Sequence, residues 1–333
     1  MSSIYEFSRH IGKLRSEKKF GEALSFFKEN KNSVSEIEIA NNIYLVSDML
    51  TCLRQQNHFD AGFKFLQIYS VKINGDTNQR ILSAYGWLLW SIKKAEIKDD
   101  SLISESNSDF LGNDEPSNAT ISHNVNKSDS IFKIQELLPL LNKQNSEYSK
   151  TLISQLFNVV LKVEKQRAAI NWKQINDFCN VIEVFRLSDE CDIIQVEKKG
   201  KMSNMELASD QEKWFAQKTK ALFKLGHWPE CYELSKKALE TFEKFHYDNE
   251  SWFARRIALA KKNLGNPSEA IFELKEILKR KQEWFIQKEI AELLFDENDI
   301  ENAFIYAIQA ITNFEPLEFK VDLLFLLVLT QDN

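Results

Sequence analysis

Residues 252–278 read WFARRIALAKKNLGNPSEAIFELKEIL. Trp252-Phe253 opens an apolar stretch at helical spacing, Leu264-Gly265 breaks it as a turn, and Glu269-Ala270 through Ile277-Leu278 form a second helix. The small Ala270 stands where the two helices must approach closely. The same order recurs on both sides. Upstream it runs Trp214-Phe215, Leu225-Gly226, Glu230-Cys231 and Ala238-Leu239; downstream it runs Trp284-Phe285, Asn298-Asp299, Asn302-Ala303 and Ala310-Ile311. Self-similarity at this period marks a repeat architecture, in which each helix pair buries its apolar face against the next.

These three segments resemble tetratricopeptide repeats. On that resemblance the small or bulky signature pairs of the second helices are Cys231 with Ala238, Ala270 with Ile277, and Ala303 with Ala310. The small first-helix positions are Thr219, Ala258 and Ala291. Cys231 and Ala270 are 39 residues apart and Ala270 and Ala303 are 33 apart, against a family period of about 34. The longer unit is expected to carry an extended helix or loop around Phe242 to Asn249. Weaker units end in Phe20-Gly21-Glu22-Ala23-Leu24 and Phe59-Asp60-Ala61-Gly62-Phe63, and Arg80 to Ala95 reads as a further first helix.

The expected fold is all-α, an α-solenoid of such pairs interrupted by a disordered insertion and a non-repeat helical block. Its parts are N-terminal repeats over 1–98, a polar insertion over 99–130, helices over 131–187, an irregular connector over 188–209, and C-terminal repeats over 210–333. The insertion is rich in Ser, Asn and Asp and buries too little apolar surface to offset its ordering entropy. Glu318 to Leu329 reads as the first helix of another unit, with Gln331-Asp332-Asn333 where the turn should follow. It is expected to be a cap or to leave Phe325 and Leu327 available for an intermolecular contact.

Composition agrees with helices. Gly and Pro number only 9 and 5, too few for a sandwich or barrel with many tight turns, while 43% of residues are hydrophobic. No run approaches the roughly 18 uncharged apolar residues of a membrane span. Glu6 and Arg9 interrupt the N-terminus where a secretory signal would be apolar, so a cytoplasmic location is expected, with Cys52, Cys179, Cys191 and Cys231 reduced. No C-x-x-C, H-E-x-x-H, phosphate loop or nucleophile elbow is present, and His10, His58, His123, His227 and His246 are isolated in sequence. The chain is therefore read as a binding protein, without catalytic residues, cofactor or metal.

The net charge is −6, which argues against coating nucleic acid by bulk attraction. Yet Lys and Arg outnumber Asp and Glu between Lys198 and Lys288. In tetratricopeptide arrays the first helices line a concave groove, so the resemblance implies that Lys220, Arg255, Lys262 and Lys288 face it. Trp252 stands beside them. Repeated Trp and Phe residues ordinarily fill the layers between helices, but Trp214 and Trp252 are expected to be partly exposed. The leading function is a scaffold or adaptor that binds a protein segment through Lys220, Trp252, Arg255, Lys262 and Lys288. The alternative is a nucleic-acid-associated regulator using the same basic groove. The split array and the segment Trp252-Phe253-Ala254-Arg255-Arg256 also resemble tetratricopeptide proteins of prokaryotic conflict and phage-defence systems, which implies a partner encoded nearby.

Overall fold

The computed structural model describes residues 3–97, 127–144, 146–198, 201–313 and 320–331. The polar insertion therefore lies, up to residue 126, outside the described residues, as do the first residues of the final expected helix. The described chain divides into two compact units. One comprises 3–97, 127–170 and 180–188, and the other comprises 171–179 and 189–331.

The first unit holds α1 (Ile4–Ser16), α2 (Phe20–Asn30), the short α3 (Glu36–Asn41), α4 (Ile43–Gln55), α5 (Phe59–Ile68), α6 (Gln79–Ala95), α7 (Lys127–Asn142) and α8 (Glu147–Lys165). Ser3 with Glu6 and Ser35 with Glu38 form capping boxes that start α1 and α3. Helices α1, α4, α6 and α8 pack in that order, with α2, α5 and α7 against them. The helix that opens the middle block thus packs on α6 and α8 as a second helix does. Gly86 permits this approach: a Cβ there would stand 2.7 Å from a Leu152 methyl of α8 and 3.2 Å from Leu137 of α7.

The second unit contains α9 (Trp172–Asn180, through Cys179), strands β1 (Ile193–Lys198) and β2 (Lys201–Glu206), and then the helices of the repeats. These are α10 (Asp210–Lys224) with α11 (Trp228–Thr241), α12 (Asn249–Asn263) with α13 (Pro267–Arg280), α14 (Trp284–Asp296) with α15 (Ile300–Thr312), and α16 (Val321–Gln331). The signature positions behave as the resemblance implies. Thr219, Cys231, Ala238, Ala258, Ala270, Ala291, Ala303 and Ala310 are fully buried, and Ile277 nearly so. Small side chains let the helix backbones close, and the neighbouring Leu and Ile residues fill the space between pairs.

One turn chemistry joins five of the pairs. Lys18, Asn57, Gly226, Gly265 and Asn298 all adopt left-handed backbone. The next residue's N–H then reaches back five residues: Lys19 to Leu14, His58 to Leu53, His227 to Leu222, Asn266 to Lys261 and Asp299 to Leu294, at 2.8–3.0 Å. This is the Schellman closure, which satisfies carbonyls left over at a helix end and reverses the chain. The N-terminal pairs α1–α2 and α4–α5 thus close with the same turn as the C-terminal ones.

Two expectations are corrected. Residues 188–209 are not wholly irregular, because β1 and β2 form an antiparallel hairpin with Ile193 opposite Glu206 and Ile194 opposite Met205. Its side chains at 193–197 and 202–206 are exposed or half-buried, so among the described residues no buried face imposes the clean apolar alternation by which a strand is recognised. Trp214 is also not an exposed platform. It is 6% exposed and its indole N–H donates to the Cys179 carbonyl at 3.2 Å, which seats α10 on α9. The extra residues of the first repeat form a loop, 242–248, ending in left-handed Tyr247 and Asp248. No described helix is long and apolar enough to cross a membrane.

Candidate partner-binding face

Helices α10, α12 and α14 are the first helices of successive pairs and α16 follows the last of them, so residues about one repeat apart come to lie side by side on their common face. The charges on this face use that geometry. Arg255 on α12 donates through Nε to Glu289 Oε2 at 2.9 Å and through its second terminal nitrogen to Oε1. Lys262 on α12 lies 3.2 Å from Asp296 of α14. Lys288 on α14 lies 2.7 Å from Asp322 of α16 and 3.6 Å from Glu292. Each of the three inter-helix pairs spans 34 residues. They form a ladder from one first helix to the next, and the face alternates in sign.

The rungs differ in strength. The Arg255 side chain is 19% exposed and that of Glu289 is 12% exposed. The guanidinium also lies over aromatic faces, 5.4 Å from the Trp252 ring, 5.6 Å from Phe285 and 5.8 Å from Phe223. Trp252 and Phe285 stack nearly parallel, 8° apart with centroids at 5.0 Å. Arg255 is thus held by a planar, two-pronged carboxylate and by aromatic faces at once. Lys262 pairs with a largely exposed Asp296, the kind of contact worth about 0–1 kcal/mol. Burial works against the Lys288 ammonium, but Asp322 and Glu292 outweigh it and hold its pKa above the ordinary lysine value. Burial conversely pushes the Glu292 carboxyl up, with Lys288 opposing.

Lys220 sits apart from this ladder, its ammonium 5.3 Å from the Trp172 ring of α9. The structure thus brings Trp252, Arg255, Lys262 and Lys288 into one connected face and turns Lys220 towards α9. Sequence reading missed the acidic half of the face: Glu289, Asp296 and Asp322. The 34-residue offset from each cation was the signal available. At the far end, Phe325 is 73% exposed on α16, whereas Leu327 packs against the cluster built from Ala291, Ala307, Ala310, Leu323 and Leu326.

No protein-family model matches the chain, and no curated protein matches it in sequence. Among the solved structures to which the chain is similar are three at low identity. One is a tetratricopeptide repeat protein from Parabacteroides merdae ATCC 43184, at 12% identity and a TM-score of 0.32 over 99% of each chain. Another is the C-terminal part of a TPR repeat-containing protein from Cytophaga hutchinsonii, at 13% identity and a TM-score of 0.38 over 95% of this chain and 99% of that one. The third is the P58(IPK) TPR domain, at 12% identity and a TM-score of 0.30 over the whole of both chains.

Proposed function

We propose that this chain is a non-catalytic scaffold that holds a protein segment on the face of α10, α12, α14 and α16. The observation that carries this reading is the combination of a half-buried Trp252–Phe285 stack with lysine pairs whose carboxylate partners are themselves exposed. A partner's acidic side chains can take the place of Asp296 or Asp322 at little cost, because an exposed ion pair is nearly isoenergetic with its solvated members. The aromatic stack supplies apolar area beside them. Alternating charge also disfavours a long polyanion, which would meet Glu289, Asp296 and Asp322 as it met the cations. We place this activity in the cytoplasm. The resemblance to tetratricopeptide proteins of prokaryotic conflict systems supports a partner encoded beside this gene.

The test is a double charge reversal, Lys262→Glu with Lys288→Glu, read by titration against an acidic peptide and against duplex DNA. Peptide affinity is expected to fall about 10–100-fold, with most of the salt dependence lost, since removing charge complementarity weakens encounter as well as retention. Unchanged peptide binding discards the face. Tight DNA binding with a log–log salt slope of about −0.9 per phosphate contacted, lost in the variant, favours the nucleic-acid regulator instead.

A second contact is proposed on α16. Val321, Leu324, Phe325, Val328 and Leu329 are all about half exposed or more, and burying one such side chain contributes about 1.5–3 kcal/mol. Phe325→Asp is expected to reduce self-association in sedimentation velocity while circular dichroism stays unchanged. A wild-type chain that sediments as a monomer at high concentration rejects this contact.

A further inference from the structure

The loop that lengthens the first C-terminal repeat brings His246 to the base of the hairpin. Its imidazole is 9% exposed. Glu212, on the first turn of α10 and buried, accepts from the His246 backbone N–H at 2.8 Å and from the Asn249 amide at 2.8 Å, and lies 2.7 Å from His246 Nδ1. A carboxylate only accepts, so Nδ1 carries the proton and donates to it, leaving the Nε2 lone pair directed the other way. Among the described residues Nε2 is buried and makes no hydrogen bond.

Two further donor atoms lie near this imidazole. Cys191 lies just ahead of β1 and Glu206 ends β2, so strand pairing brings these residues, 15 apart in sequence, to the same end of the hairpin. Leu207 closes this end by donating its N–H to the Asp192 carbonyl at 2.8 Å. One oxygen of Glu206 accepts from Lys244, and the other faces His246 Nε2 at 3.8 Å, too far for a hydrogen bond. The Cys191 sulfur, a Glu206 oxygen and a ring nitrogen of His246 all lie within 4.8 Å of one another. Ligands at tetrahedral zinc distances stand about 3.3–3.8 Å apart, so the three need close by roughly 1.5 Å at most. Glu206 is exposed at the strand end, so its side chain can turn to make that adjustment.

We propose that Cys191, Glu206 and His246 form a transition-metal site that takes Zn2+, with Glu212 orienting the imidazole from behind and the fourth position held by water. The donor set selects the ion. One thiolate, one imidazole and one carboxylate suit zinc, whereas calcium and magnesium take oxygen ligands. A carboxylate on the distal nitrogen of a ligating histidine is the usual orienting partner at such sites. Metal binding would displace the thiol proton and pin the hairpin to the 242–248 loop, fixing an otherwise exposed segment to the repeats.

Full-length protein dialysed against Zn2+ and then metal-free buffer is expected to retain one equivalent. Co2+ in its place should give thiolate-to-cobalt charge-transfer absorption, a signature that carboxylate or histidine binding alone does not produce. Cys191→Ser and His246→Gln should each lower zinc affinity by more than about 100-fold, and Glu212→Gln by about 10–100-fold. Zinc should also shield Cys191 from alkylation. Cys52, Cys179 and Cys231 provide the internal control, since all are buried and burial pushes the first two thiols up to about 12. Should Glu212→Gln loosen the fold, Glu206→Gln at the exposed strand end tests the same site. The proposal is overturned if the wild type retains no zinc, if cobalt gives no thiolate band, or if Cys191→Ser binds zinc as tightly as the wild type.

Discussion

Asp48→Ala is expected to destabilise the N-terminal unit by about 2–3 kcal/mol, through loss of a buried charge that two arginines share. Asp48 lies on α4 with its side chain 5% exposed. Arg15 of α1 stands 2.8 Å, and Arg80 of α6 stands 3.0 Å, from the same carboxylate oxygen. Arg80 also donates through Nε to the neighbouring Ser47 hydroxyl at 2.7 Å. Three consecutive first helices therefore meet on one anion. Gly12 gives the carboxylate its room, since a Cβ there would come within 3.0 Å of the second oxygen. The arginines are one-third and about two-fifths exposed, so water relieves part of their loss and the effect falls below that of a fully buried pair. Urea denaturation with hydrogen exchange on α1, α4 and α6 checks it. A change under about 0.5 kcal/mol would show that the charge is dispensable. Asp48→Asn keeps the shape and one acceptor and should recover part of the stability.

Arg255→Ala is expected to cost about 2–3 kcal/mol in the C-terminal unit, against about 0–0.5 for Lys262→Ala on the same ladder. The difference follows from desolvation and geometry. Arg255 is four-fifths buried, holds Glu289 with two donors, and lies over Trp252, Phe285 and Phe223. Removing it leaves Glu289 nearly buried without its cation and opens space beside the aromatic stack. Arg255→Lys should not rescue, because an ammonium cannot present the planar fork that fits both carboxylate oxygens and the rings. In a double-mutant cycle with Glu289→Ala the coupling should reach about 1–2 kcal/mol, within the range for residues that share one network. Coupling near zero would mean that the aromatic contacts alone hold α12 to α14. Hydrogen exchange on the two helices separates this local loosening from global unfolding.

The helix pairs were legible because their signals are local. Trp252-Phe253, Leu264-Gly265 and Ala270 fall within one repeat, and each restricts its own neighbourhood: an apolar stripe, a left-handed turn, a close approach. The turn chemistry confirms this at Gly226, Gly265 and Asn298. At Lys18 the same left-handed turn is taken by a residue with no special preference for it. There the closure of α1 on α2 imposes the backbone, and the sequence carries little sign of it. The exposed hairpin escaped for a related reason, as its pairing is carried by backbone hydrogen bonds rather than by a buried face.

By itself, then, the sequence determined that this chain builds helix pairs, where their turns fall, and which small residues line their contacts. Only the tertiary structure decided what the charges do. A lysine reads as solvated or as functional until the partner helix is in place, and here the partners of Arg255, Lys262 and Lys288 lie a whole repeat away. Cys191, Glu206 and His246 are separated by up to 55 residues and belong to no common motif. They meet because strand pairing closes the hairpin and an enlarged loop carries His246 onto Glu212. Periodicity and propensity act over a few turns of helix, whereas ligand sets and ion pairs depend on loop lengths and stacking register, which become definite only when the chain has folded.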